Sequence, residues 1–105
     1  ALLEANQEGS PIFRAMALAL VHHALGNKSD SEAQLTTLVS KYQDAAPYQI
    51  AEVYSYRGDI NQAFAWLDRA YTTRDGGITD MKCDPLLAPL HADPRYRALL
   101  TRLRL

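Results

Sequence analysis

The stretch from residue 45 to residue 71, AAPYQIAEVYSYRGDINQAFAWLDRAY, constrains the fold more than any other part of the sequence. Its first half has one helical stripe, formed by Ile50, Val53, Tyr54 and Arg57. Gly58 follows the stripe, where a helix that ends in the left-handed conformation favours a residue without a Cβ atom. Asp59 comes next, where a side-chain oxygen can accept an N–H group that opens another helix. The pattern predicts a helix, a tight turn and a second helix.

The second half of this stretch has the apolar spacing of an amphipathic helix. Its predicted buried face consists of Ala63, Phe64, Leu67, Ala70 and Tyr71. Ala51 and Ala63 are small residues on the facing surfaces of the two helices, so the helix axes can approach closely. The stretch therefore predicts an antiparallel helix pair.

An earlier part of the chain repeats this pattern with a period of 32 residues. The aligned pairs are Leu18 with Ile50, Ala19 with Ala51, Val21 with Val53, His22 with Tyr54, Gly26 with Gly58, and Asn27 with Asp59. The two copies differ after the glycine, because Ala33 follows Gly26 by seven residues whereas Ala63 follows Gly58 by five. We expect the extra residues in a polar turn over 27–31, with Asp30 or Ser31 as the cap of the next helix.

The main stretch resembles a tetratricopeptide repeat. Pro47, Ile50, Ala51 and Tyr54 fill the first part of that motif, and Ala63 and Leu67 fill the second. Pro47 replaces the usual Trp, Ala51 replaces Gly, and the closing Pro is missing near Asp75. The resemblance implies a short right-handed solenoid of antiparallel helix pairs, because one helix pair alone cannot bury its apolar face. The residues that define the repeat are Ala19, Gly26, Ala51, Tyr54, Gly58, Ala63 and Leu67.

The C-terminal part of the chain follows a different pattern. Residues 72–77 end in Gly76-Gly77, which predicts a break, and Ile78 to Cys83 is long enough for one short helical turn. Asp84-Pro85 and Asp93-Pro94 each join an N-cap residue to a proline at the first helical position. The two predicted helices carry Leu86, Leu87 and Leu90, then Tyr96, Leu99, Leu100 and Leu103. This run resembles the tail that closes tetratricopeptide regions in many bacterial multidomain proteins, which implies a capping element.

These observations predict an all-α fold in a single domain over residues 1–105. We expect a tail or helix stub over 1–9, a first degenerate helix pair over 10–43, a second pair over 44–74, and capping helices over 78–105. Ser10-Pro11 is the predicted start of the first helix. The chain begins with Ala, so we expect it to be a piece of a longer protein, whose compartment the sequence leaves undecided.

Charge and composition narrow the classes of partner. The net charge is −1, so the sequence has no electrostatic footprint for nucleic acid or for an anionic membrane. No apolar run reaches the length of a membrane span. Cys83 is the single cysteine, which excludes an internal disulfide. We expect it to be a small, partly buried thiol.

The residues that carry reactive groups do not form a recognised catalytic or metal-binding pattern. His22 and His23 are adjacent, so they project about 100° apart on a helix and do not readily share a metal. We expect His22 to pack at the helix–helix contact and His91 to lie at a helix end. The aspartates are predicted caps or surface charges, and no Lys-Ser/Thr follows Gly76-Gly77 as a phosphate-binding loop needs. We expect no enzyme activity, no cofactor and no metal.

By resemblance, the first helix of each pair lines a concave groove that binds a peptide. The implied groove residues are Phe13, Met16, Leu20, His23, Tyr48, Glu52, Ser55 and Tyr56. They lack the Lys/Asn/Arg set that binds a C-terminal carboxylate in chaperone-binding relatives, so an apolar or basic segment is the expected ligand. The alternative is that Phe13, Met16 and Leu20 are core residues.

Two functions follow from this surface. One is a protein–protein interaction module that binds a peptide or another domain of the parent chain. The other is a homodimerisation element, in which the apolar face over 12–20 pairs with a second copy.

Overall fold

The computed structural model describes residues 11–104, apart from the side chains of Gly76 and Asp80, and this part of the chain contains helices and turns but no strand. The predicted tail over 1–9 and the cap at Ser10 lie outside the described residues. The chain divides into two compact units, Ala1–Ala46 and Pro47–Leu105, each of which is described by itself. The first contains α1 (Pro11–Ala24) and α2 (Lys28–Tyr42). The second contains α3 (Pro47–Tyr56), α4 (Ile60–Thr72), the 3-10 helices η1 (Gly76–Cys83) and η2 (Pro85–Leu90), and α5 (Pro94–Leu103).

In the first unit, α1 packs against α2 through small residues on one side and leucines on the other. Ala15 and Ala19 are the buried residues of α1, while Leu35 and Leu38 are buried on α2. Small side chains on α1 let the α2 leucines approach the α1 backbone closely. The larger apolar residues of α1 are therefore not the ones that its own helix pair buries.

A left-handed glycine ends α1 and turns the chain into α2. Gly26 has φ of 81°, and its N–H donates to the His23 carbonyl at 3.0 Å. The Asn27 N–H donates to the His22 carbonyl at 2.8 Å. These two bonds form the Schellman motif, in which the residue at the left-handed position satisfies carbonyls that the helix end would leave without donors.

The same turn recurs between α3 and α4. Gly58 has φ of 85°, and its N–H donates to Ser55 at 3.0 Å, while the Asp59 N–H donates to Tyr54 at 2.9 Å. Every partner lies 32 residues beyond its counterpart in the first turn, so the internal repeat is confirmed in the backbone. Asp59 occupies the N-cap position but makes no side-chain cap bond. Its carboxylate instead lies 3.7 Å from the Arg57 guanidinium, so the predicted cap bond is wrong.

The repeat continues into α2 without the predicted insertion. This helix begins at Lys28, so Asp30 and Ser31 lie inside it and neither caps it. The Ser31 N–H donates to Asn27 at 3.0 Å, as the Ala63 N–H donates to Asp59 at 3.0 Å, which makes Ser31 the counterpart of Ala63. Ser31 is 1% exposed, and its hydroxyl donates to the Ala19 carbonyl at 2.8 Å, whereas Ala33 is exposed. A serine that can satisfy its hydroxyl in this way is small enough to replace alanine at the contact.

In the second unit, the C-terminal helices complete the core that α3 and α4 begin. η2 and η1 pack on α3, and η1 also contacts α4 and α5. The buried cluster consists of Tyr48, Ala51, Ala63, Phe64, Leu67, Ala70, Ile78, Met81, Leu87, Leu90, Tyr96 and Leu99. The second helix pair therefore covers its apolar side with the segment that follows it.

Aspartates begin all three of the C-terminal helices. The Asp84 and Asp93 carboxylates accept the N–H groups of Leu86 and Arg95, each at 2.9 Å, which confirms both predicted caps. Asp75 accepts the Gly77 N–H at 2.9 Å in the same way. Because of this third cap, Gly76 and Gly77 open η1 instead of forming the predicted break.

Two arginines of α5 lie over aromatic rings of α4. Arg95 stacks on Phe64 and Arg102 stacks on Tyr71, each with its guanidinium carbon 4.4 Å from the ring centroid. Both partners advance by seven residues, so α4 and α5 run in the same direction. The predicted solvated face of α5 thus also supplies cation–π contacts to its neighbour.

Substitution at the glycine turn tests the left-handed conformation. We expect Gly58→Val to lower the free energy of unfolding by about 1–3 kcal/mol, because a β-branched residue resists positive φ. No heavy atom lies within 4 Å of a Cβ built at Gly58, so the cost comes from the backbone and not from a clash. Arg74, at φ of 58°, is the matched opposite case: Arg74→Gly should raise stability. Thermal melts of both variants measure these effects, and an unchanged Tm for Gly58→Val would contradict the turn assignment.

A second substitution tests the register of the repeat. Ser31→Leu should destabilise the fold by about 1–3 kcal/mol, because the added carbons overpack a buried contact with α1. Ala33→Leu is the control, since Ala33 is exposed two residues away on the same helix and should change stability by less than about 0.5 kcal/mol. Urea unfolding compares the two. The reverse order of effects would restore Ala33 as the contact residue.

Candidate functional site

The most connected polar residue on the predicted binding surface of α3 is Tyr48. Its N–H donates to the Asp75 carboxylate at 3.2 Å, and its hydroxyl donates to the Asp84 carboxylate at 2.6 Å. Both aspartates also cap 3-10 helices, so each joins the start of a helix to α3. Tyr48 itself is buried, with its ring in the core cluster. One side chain thus positions η1 and η2 on the second helix pair.

Two further residues of this predicted surface are buried on α3. The Ser55 hydroxyl donates to the Leu86 carbonyl at 2.8 Å, which holds the start of η2 against the last turn of α3. Glu52 lies between Tyr48 and Ser55 along the helix and is 8% exposed. The contacts of Tyr48 and Ser55 show that the chain's own C-terminal segment occupies this part of α3. The predicted peptide groove itself stays a prediction.

The other predicted groove residues are more accessible. Tyr56, the last residue of α3, is 39% exposed, and Phe13 of α1 is 45% exposed. Met16, Leu20 and His23 are half-buried on α1. The predicted site residues therefore fall into an accessible set that is mainly on α1 and a covered set on α3.

Hydrogen bonding controls the charge of Asp84. Partial burial opposes ionisation of this carboxyl group, but hydrogen bonds from the Glu52 side chain, the Tyr48 hydroxyl and the Leu86 N–H together lower its pKa. Burial also raises the pKa of the nearby Tyr96 hydroxyl, which donates to the Met81 carbonyl at 3.1 Å. The arrangement therefore favours a charged Asp84 beside neutral phenols.

The other reactive residues lie outside this cluster. His22 is half-buried and lies 3.4 Å from the Asn27 amide, so it belongs to the first turn, while His91 caps the C-terminal end of η2 as predicted. Cys83 is exposed, which corrects the expected partly buried thiol. Residues 91–94, 97 and 98 line a shallow concavity at the start of α5.

Searches of the described residues for two further kinds of feature gave negative results. Within residues 11–104, no group of three or more His, Cys, Asp or Glu side chains is arranged to hold a metal ion. No helix in that range is long and apolar enough to span a membrane.

Sequence reasoning missed that Asp75 and Asp84 both bind Tyr48. The Asp84-Pro85 pair gave a usable signal for a cap, and Asp75 followed by two glycines gave a weaker one. No sequence pattern linked either aspartate to a tyrosine 27 or 36 residues away. Such pairings depend on tertiary packing.

Comparison with protein-family models, with characterised proteins and with solved structures finds no match. The tetratricopeptide resemblance therefore depends on the motif residues themselves, and membership of that family stays a prediction. The all-helical architecture is established independently of it.

Removing the Tyr48 hydroxyl tests the link between α3 and η2. We expect Tyr48→Phe to lower stability by about 1.5–3 kcal/mol at pH 7, because the lost bond goes to a charged acceptor. The cost should shrink in acid, since a carboxylate whose folded pKa is depressed contributes stability above the unfolded value near 3.9, which is lost as pH falls through the folded value. Urea unfolding at pH 7 and at about pH 3 measures both. A cost independent of pH would contradict the role of charged Asp84.

Proposed function

We propose that this chain is a protein–protein interaction module of tetratricopeptide type, which binds a peptide segment or a neighbouring domain of its parent chain. The observation that supports this most is the helix–turn–helix unit repeated at 32 residues, with the same Schellman bonds at Gly26 and Gly58. Tetratricopeptide repeats have a period of about 34 residues and stack into solenoids with extended binding surfaces. A right-handed solenoid is the arrangement that we propose for these helix pairs.

The C-terminal segment has the features expected of a solenoid cap. In a stack of helix pairs, equivalent helices of successive repeats lie side by side and run in the same direction. The contacts of α5 with α4 and of η2 with α3 fit the positions of a following, shortened pair. A cap of this kind covers the apolar side of the last repeat. It leaves binding to another surface.

We assign the binding surface to α1. Phe13 and Leu25 are 45% and 68% exposed, and Met16 and Leu20 are half-buried, so this helix offers apolar area to a partner. Tyr48 and Ser55, the counterparts expected on α3, are occupied by the C-terminal segment. The ligand that fits α1 is an apolar segment, because large apolar side chains gain most when a partner excludes water from them.

Homodimerisation through the same helix is the second candidate. α1 buries Ala15 and Ala19 in its own unit, whereas its larger apolar residues Ile12, Met16 and Leu20 remain partly exposed. A second copy of α1 would cover such residues symmetrically, as in the isologous interfaces of most dimers. The two candidates differ in whether this surface is already covered by another copy in solution.

The solution mass decides between the two candidates. Light scattering over a concentration series should give a monomer for the binding module and a stable dimer for the assembly element. In either case Met16→Glu should weaken the interaction by about 10–100-fold, because it places a charge in an apolar contact. Arg14→Ala is the matched control, since it changes the net charge by the same amount at an exposed position of α1.

The monomer outcome leads to a binding measurement. Apolar peptides should bind the unsubstituted protein and Arg14→Ala equally, and Met16→Glu more weakly. A monomer that binds none of a broad peptide panel would contradict the module. A dimer unaffected by Met16→Glu would contradict the use of α1.

A further inference from the structure

Glu52 is the most buried carboxyl-bearing residue of α3 and lies beside a second carboxyl group. It is 8% exposed, one helical turn after Tyr48. Its side chain forms a hydrogen bond with the side chain of Asp84. Two carboxylate ions offer only acceptors, so a hydrogen bond between two carboxyl groups requires a proton on one of them. We propose that Glu52 and Asp84 hold one proton between them in the folded protein at neutral pH, and that this proton helps to hold η2 against α3.

The surroundings of Asp84 indicate which partner carries the proton. One Asp84 oxygen accepts the Leu86 N–H at 2.9 Å, and the other accepts the Tyr48 hydroxyl at 2.6 Å. With Glu52 as a third donor, every contact of Asp84 favours its ionised form. Glu52 is the more buried of the two residues, and burial penalises its charged form. The proton therefore belongs on Glu52, and Asp84 remains the acceptor.

Other ionisable groups of the second unit lie on the elements around this pair. They are Tyr48 and Arg57 on α3, Asp75, Lys82 and Cys83 on η1 and its start, and Tyr96 on α5. The Asp75 carboxylate accepts the Tyr48 N–H, and Arg57 lies 3.7 Å from Asp59. η2, with the sequence PLLAPL, brings no charge of its own. Its link to α3 therefore depends on Asp84 and on the hydrogen bond from Ser55 to Leu86.

A shared proton makes this link sensitive to alkaline pH. An unfolded glutamate releases its proton near pH 4.3, whereas the folded pair retains one to higher pH. Between these two values the folded state binds more protons than the unfolded state, so stability falls as pH rises. One proton changes the unfolding equilibrium constant by up to about tenfold per pH unit. Above the folded titration, two adjacent charges repel each other and η2 loosens from α3.

Glu52→Gln provides the test, because its amide N–H can donate to Asp84 as a neutral glutamic acid would. We expect this variant to be at least as stable as the original protein at pH 7. Urea unfolding from pH 5 to pH 9 should show that it loses most of the decline in stability seen for the original chain. The three histidines remain in both proteins, so the difference between the two pH profiles isolates Glu52. Glu32→Gln, at an exposed position of α2, is the control and should keep the decline.

Two results would overturn the proposal. One is a Glu52→Gln variant that is less stable at pH 7 and keeps the full pH dependence, which would show that Glu52 is ionised in the fold. The other is a carboxyl carbon resonance of Glu52, in the unsubstituted protein, at the position of an ionised group at pH 6. This NMR titration applies even where the variant fails to fold, and it does not depend on the proposed binding role.

Discussion

The two left-handed glycine turns are the constraint on which the rest of the structure depends. Each satisfies the last carbonyls of one helix and sends the chain directly into the next, with no free loop between them. The hydrogen bonds of Gly26 and Gly58 fix the residue at which the following helix begins. That start decides which residues of the second helix face the first. A change of one residue in the turn would rotate α2 or α4 by about 100° and remove its apolar face from the contact.

This constraint explains both what the sequence predicted and where it failed. The Gly58 turn, the helix pair and the two Asp-Pro caps follow from local rules, and all of them are present. The start of α2 does not follow, because Ser31 has two opposite local meanings, a helix cap or a small buried residue. The carbonyl of Ala19 decides between them, and it belongs to another helix. Local pattern alone contains no information about that acceptor.

The candidate site illustrates the same limit. The resemblance placed Tyr48, Glu52 and Ser55 on one face of α3, which the helix geometry supports. It did not reveal that the chain's own C-terminal segment lies on that face, with Ser55 bonded to Leu86 and Tyr48 to Asp84. A surface predicted from one helix is therefore only a candidate until the position of every later segment is known. The α1 surface became the stronger candidate because its large apolar residues remain accessible.

The gap-free repeat also has a consequence for how such a chain can be lengthened. Asn27 and Asp59 have nearly the same backbone angles, with φ of −86° and −85° and ψ of 73° and 74°. A copy of the segment from 27 to 58 would thus begin and end in the same conformation as the positions that it joins. Duplication at this point requires no new turn and interrupts no helix. The junction is already a place where the chain can gain or lose a whole unit without local strain.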